Sequence, residues 1–196
     1  PTIAKVRMPQ NLIDKLNDYA ESILNDKKKQ DELNYGDKLA GNVKQEFVIE
    51  KEYMEKIGWG KFLAEGVRDW IFETNKRKIS KFNIINSWIV RQFKNEYNPS
   101  HWHSGHVSGV GYLKVPKSLG GTSQNNKQIN NNGKLEMVHG AKAFLCKPTF
   151  RVTPKVGDFY FFPHYLMHAV YPFSESEDER RSVSFNATVD QSLFNE

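Results

Sequence analysis

Beyond residue 80 the chain breaks into short apolar runs separated by turn residues, and that rhythm restricts the fold more than any other feature. Residues 82–93, rich in Ile, Val, Trp and Phe, and residues 107–115 are the first two strand-like runs. Shorter candidates follow at 134–138, 143–146, 150–153, 158–162, 168–171 and 180–189. Gly140, Pro148, Pro154 with Gly157, Pro163 and the acidic run 175–179 punctuate them. Many short strands with close turn signals predict a sandwich or barrel. The stretch 118–133, rich in Gly, Asn, Gln and Ser, reads as a long surface loop.

Before residue 80 the texture is helical. In residues 9–26, Leu12, Ile13, Leu16, Tyr19, Ala20 and Ile23 fall on one helical face. Residues 50–74 carry a second stripe of Met54, Ile57, Phe62, Val67, Trp70 and Ile71, which Gly58 and Gly60 divide into two pieces. The polar stretch 27–34 reads as a loop or frayed helix end, and 46–49 as a short strand inside a connector. The expectation is a mainly β protein with flanking helices. It forms a single domain over 1–196, with a helical part, 1–80, packed outside a β core, 81–196.

A single cysteine, Cys146, excludes an internal disulfide framework and fits a reducing compartment. No apolar run approaches the length of a membrane span, and the first residues hold no signal-peptide core, so a soluble cytoplasmic protein with no membrane partner is expected. The net charge is +5, with lysines clustered at Lys27 to Lys29 and around Arg77. Both clusters lie near helix ends, where cations suit the dipole and water, so a nucleic-acid partner is not expected.

The chemistry concentrates at Asn98 to Pro116. Of six histidines in the chain, His101, His103 and His106 fall here. In an extended segment, side chains two apart share a face, so His101 and His103 form a two-point chelate. His168, after the break at Pro163, is the candidate third ligand. Imidazole suits iron, zinc, copper or nickel alike. His106, His139 and His164 read as structural or supporting residues. Trp102, between the paired histidines, is expected to point away from them and pack on the barrel wall.

Residues 180–186 alternate cleanly. Arg180, Ser182, Ser184 and Asn186 share one face, while Arg181, Val183 and Phe185 share the other. If Val183 and Phe185 meet the helices, the polar face must line a wet or ligand-filled cavity. Arginine with a serine two residues on can hold a carboxylate, and Tyr112 can add a donor. Arg181 and the acidic run 175–179 read as solvated surface.

These segments resemble a known family. The series His101-Trp102-His103, Ser108 to Leu113, Pro154 to Asp158, Phe162-Pro163, His168, then Arg180 to Asn186 is similar to the iron(II)- and 2-oxoglutarate-dependent oxygenases, specifically the small type of phages and marine bacteria. The resemblance covers roughly residues 85–190. It implies a double-stranded β-helix (jelly-roll, cupin-like) core. It implies His101, His103 and His168 as catalytic metal ligands, with His103 standing where most of the superfamily has a carboxylate. Arg180 and Ser182 would bind the distal carboxylate of 2-oxoglutarate, with Tyr112 assisting.

The implied cofactors are Fe(II), 2-oxoglutarate and O2, with ascorbate as reductant. The implied activity is a dioxygenase that hydroxylates a substrate and releases succinate and CO2, in the host cytoplasm if the source is viral. The substrate stays open: a peptidyl residue such as proline, a free amino acid, a nucleobase or a small metabolite. The loop 119–133 is a candidate lid. Two other readings remain: a three-histidine cupin-like metalloprotein that does not use 2-oxoglutarate, and a non-catalytic nucleic-acid-binding module.

Overall fold

The computed structural model describes residues 1–124 and 126–193. In chain order the elements are β1 (Ala4–Arg7), α1 (Gln10–Leu24), α2 (Lys27–Glu32), β2 (Gln45–Val48), α3 (Lys51–Ile57), α4 (Trp59–Asn75), β3 (Phe82–Gln92) and β4 (Asn98–His101). There follow β5 (Val107–Lys114), β6 (Leu135–Val138), β7 (Thr149–Val152), β8 (Asp158–Pro163), β9 (Met167–Val170) and β10 (Arg180–Val189). The strands form two sheets, a larger one in the order β1-β8-β5-β10-β3-β2 and a smaller one in the order β4-β9-β6-β7. Every paired neighbour is antiparallel. This is the mainly β, jelly-roll arrangement expected from the sequence.

The helices cover one face of the larger sheet. The α1 stripe of Leu12, Ile13, Leu16, Tyr19, Ala20 and Ile23 is buried, as its spacing predicts. It joins a core with Leu63 and Val67 of α4 and Phe159, Phe161, Val183 and Phe185 of the sheet. Full burial of each such side chain contributes about 1.5–3 kcal/mol. Trp59 enters the same core at 0% exposure, and its indole donates to Ser87 Oγ at 3.0 Å. Ser87 Oγ in turn donates to the Ser184 carbonyl of β10 at 2.7 Å, locking helix, β3 and β10 together. The expected division of the second helix is real. Gly58, at φ 77, ends α3 and opens α4 in the left-handed conformation that glycine adopts without strain.

A smaller core lies between the sheets, built by Tyr112, Tyr160 and Phe162 on one side and by Leu135, Met137 and Val152 on the other. Beyond it the sheets part to leave a cavity of about 360 Å³.

Several expectations need correction. Residues 27–34 are not a loop throughout: Asp26 accepts from Lys28 N at 3.0 Å and Lys29 N at 3.2 Å, and this cap nucleates α2. Residues 143–146 are not a strand but a turn closed by Cys146 N donating to Ala143 O at 3.0 Å. Phe144 and Leu145, whose apolar character suggested the strand, are each 91% exposed at its tip. β1 and β4 were not anticipated. β1 pairs with β8, and Lys5 and Arg7 bracket Asp158 at 2.8 and 2.6 Å. Arg181 is not solvated. It is 0% exposed and donates to Glu179, Glu21 and Asn17. Glu179, at the end of the acidic run, is likewise largely buried, at 12% side-chain exposure.

Candidate functional site

The β4–β9 pairing creates the centre of the site by setting His101 directly opposite His168. His103 lies just beyond β4, where regular pairing has ended. Its segment is fastened through His164: His103 N donates to His164 O at 3.0 Å, and His164 Nδ1 lies 3.0 Å from His103 O. The turn then passes so close to β10 that a Cβ on Gly105, at φ 96, would meet the Ala187 carbonyl at 2.8 Å. The three rings converge, with centroids 5.0, 4.3 and 4.9 Å apart for 101–103, 101–168 and 103–168. One nitrogen from each lies within 4.8 Å of the others.

Two of these rings are already oriented. His101 Nδ1 is 2.7 Å from Pro99 O, and His168 Nδ1 is 2.8 Å from Leu166 O. A carbonyl can only accept, so both Nδ1 atoms carry the proton and both Nε2 atoms present lone pairs. His103 Nε2 lies 3.2 Å from His168 Nε2. Two nitrogens each roughly 2.1 Å from a shared ion would subtend about 100° at that spacing, so the cluster fits a single ion.

Burial keeps the imidazoles neutral. It lowers His103 to about 3, helped by repulsion from His168, His101 and His164. It lowers His168 to about 4, with repulsion from His101, against the opposing Leu166 bond. Burial also lowers His101, against its bond to Pro99. Neutral imidazole is the metal-binding form, so near pH 7 a cation need displace no proton.

The polar face of β10 lines the same cavity with Arg180, Ser182, Ser184 and Asn186, as the alternation predicts. Val183 and Phe185 point into the helix-side core. Arg180 is 2% exposed and has one hydrogen bond, from Nη1 to Gln92 Oε1 at 2.7 Å. The Gln92 amide is turned to face it because Nε2 donates to Glu96 O at 2.6 Å and Tyr171 O at 3.3 Å. Gln92 is thus a functional residue that sequence reasoning missed; it supplies an acceptor but no charge.

Among the described residues, Arg180 Nε has no hydrogen-bond partner, and neither has the buried hydroxyl of Tyr112. The guanidinium carbon stands 5.0 Å from the Tyr112 ring centroid, and Tyr112 lies opposite Ser182 in the sheet. Burial lowers the Arg180 pKa, offset by Tyr112. A buried cation without an anion, beside an unsatisfied hydroxyl, fits a carboxylate-bearing ligand.

The remaining sequence candidates separate. Trp102 does not pack on the wall. It is 64% exposed and stands at the cavity rim, while Trp88 of β3 packs against His103 at 5.7 Å. His106 is held outside the cluster, its Nδ1 accepting from Val189 N at 3.1 Å. His139 is exposed. Two cavity residues were not singled out at all, Glu46 on β2 and Asn98 on β4. The available signal for Glu46 was alternation, since Phe47 and Ile49 enter the helix-side core and so turn Glu46 the other way.

A protein-family profile described as "Putative 2OG-Fe(II) oxygenase" matches residues 86–186, just over half of the chain. Solved structures agree in fold. A prolyl-4-hydroxylase of Pseudomonas putida superposes with a TM-score of 0.59 at 16% identity, over 94% of this chain and 91% of its own. A viral collagen prolyl hydroxylase of Paramecium bursaria Chlorella virus-1, solved as a 2OG complex, gives 0.58 at 14% identity, over 95% and 96%. The non-heme alpha-ketoglutarate-dependent epimerase SnoN from nogalamycin biosynthesis gives 0.61 at 13%, over 94% and 77%. A search of curated protein sequences returns no match. No helix among the described residues is long and apolar enough to cross a membrane.

Proposed function

The chain belongs to the 2OG-Fe(II) oxygenase family, enzymes whose cofactors are Fe(II), 2-oxoglutarate and O2, and from that premise we propose that it is a hydroxylase whose cavity between the sheets is the active site. His101, His103 and His168 hold the iron, and Arg180 and Ser182 hold the distal carboxylate of 2-oxoglutarate, with Tyr112 as a further donor. The observation that carries this reading is Arg180: a buried cation with one neutral partner, in the cavity that three neutral histidines line.

When bound, the iron and 2-oxoglutarate supply the oxidation, in which O2 and 2-oxoglutarate become succinate and CO2 while a substrate C–H becomes C–OH. The chain's own residues position and exclude. The Pro99 and Leu166 carbonyls hold His101 and His168 with their Nε2 lone pairs turned inward. The three imidazoles contribute no charge, so one carboxylate of the co-substrate would meet the ion while Arg180 would anchor the other. Trp88 and Phe162 wall the histidines with apolar surface and keep water from them.

The test is succinate formation by Fe(II)-loaded protein with 2-oxoglutarate, ascorbate and O2, with and without candidate substrates, and 18O transfer from O2 into product. Hydroxylation predicts both, and their loss in His168→Ala. Succinate without oxygen transfer would support the family chemistry and overturn the hydroxylase assignment. Failure of the iron-loaded protein to turn over 2-oxoglutarate under any of these conditions would overturn the reading altogether.

A further inference from the structure

The cavity has a second polar wall, centred on β2 rather than on the residues assigned to iron and co-substrate. Glu46 of β2 lines it at 2% exposure, and no hydrogen bond or ion pair among the described residues engages its carboxylate. Asn98 Oδ1 lines the same cavity and is likewise buried without a partner among the described residues.

Gly41 shows how close two of these oxygens come. A Cβ there would lie 3.0 Å from Glu46 Oε1 and closer still to Asn98 Oδ1. The segment carrying Gly41 is held against β4, with Asn42 N donating to Tyr97 O at 2.9 Å and Tyr97 N to Asn42 O at 3.2 Å. The subsite is therefore built rather than a chance surface grouping.

Unsatisfied buried acceptors call for a ligand made of donors, and one of them carries charge. The cavity-lining cations do not meet that need. Lys38 Nζ lies over the Tyr35 ring at 5.5 Å, and Arg180 is held by Gln92. Burial alone accounts for the rise of Glu46 to about 7, with no neighbouring charge opposing it. A neutral amide such as Asn98 does not balance a carboxylate.

We infer that Glu46 and Asn98 form a subsite for a primary ammonium group, so that the substrate is an amine-bearing molecule. Three N–H donors match three acceptor oxygens, the two of Glu46 and Asn98 Oδ1, and the charge matches the carboxylate. A blocked peptidyl proline, which bears no cation, does not fit. The inference rests on the proposed function for the identity of the cavity, and its test separates the two.

The experiment titrates metal-loaded protein with 2-oxoglutarate and then with four probes: putrescine, Nα-acetyl-lysine methylamide, its Nε-acetylated counterpart, and a blocked proline peptide. Calorimetry reads binding directly. Wild-type protein is expected to bind the two ammonium probes at least tenfold more tightly than the uncharged pair. Glu46→Gln should abolish that ratio and leave 2-oxoglutarate affinity unchanged. Gly41→Ala, which keeps the charge but crowds Asn98 and Glu46, should do the same.

Equal binding of charged and uncharged probes, no binding of any probe, or a ratio that survives both substitutions would overturn the subsite. Loss of 2-oxoglutarate binding in wild-type protein would instead strike the proposed function, and the ammonium ratio would still be read on its own.

Discussion

Two neighbouring arginines on β10 face opposite sides of one sheet, and their surroundings differ in a way that separates structure from function. Arg181 looks toward α1 and is saturated: Glu179, Glu21 and Asn17 take its donors. Glu21 is held down to about 2 by Lys114 and Arg181. Arg180 looks toward the cavity and is nearly as buried, yet has one neutral partner and an unused Nε. A buried cation with its anions supplied by the fold is architecture. A buried cation whose anion the fold withholds is a binding site.

Exchanging the two roles by mutation gives the largest expected effects. Arg181→Met removes a shared donor from Glu179 and Glu21, which Arg91 and Lys114 still hold, and should cost about 3 kcal/mol in chemical denaturation, with 2-oxoglutarate affinity retained in whatever folds. Arg180→Met should leave stability within roughly 1 kcal/mol or raise it, because a charge lacking an anion is removed. Equal destabilisation by both would break the comparison.

Glu46 extends the contrast to a carboxylate. Its ordinary value is near 4.5 and burial raises it to about 7 in the folded protein. The native state thus holds this proton more tightly than the unfolded chain. The stabilising contribution is complete below the unfolded value and is lost as pH rises through about 7. The stability difference between Glu46→Gln and wild type should grow in favour of the variant across that window, by up to about 3 kcal/mol. A flat difference would show that Glu46 is paired.

The smallest expected effect lies on the helix side. Ser87→Ala leaves the Trp59 indole without its acceptor and frees the Ser184 carbonyl, at a cost of about 1–3 kcal/mol in thermal or chemical melts. Succinate formation should persist. Loss of turnover with native stability would mean that the helix-side network also shapes the cavity.

The same contrast marks how far sequence reading reaches. Alternation along residues 180–186 is local, so it identifies the cavity face, and the stripe of α1 identifies its buried face residue by residue. Arg181 defeats that reading because its anions arrive from elsewhere: Glu21 stands 160 positions away, and only the fold brings α1 against β10. Trp102 defeats it because β4 ends at His101 and the residue just beyond stands exposed at the cavity rim. Residues 143–146 look like a strand because Phe144 and Leu145 are apolar, and an exposed apolar turn carries no signal of its own. His168 was legible as a candidate third ligand, but its pairing with His101 across β4 and β9 was not, since the extended segment around His101 contains Pro99 and was not marked as a strand. Gln92 and Glu46 matter through what surrounds them, and sequence alone does not display surroundings.

The central claim is that the fold withholds an anion from Arg180 so that 2-oxoglutarate can supply it beside the three histidines. Calorimetric titration of 2-oxoglutarate into metal-loaded wild-type and Arg180→Met protein tests it most directly. Saturable binding in the wild type, weakened at least 100-fold in the variant with its fold intact, is expected. Equal affinity in the two proteins would contradict it.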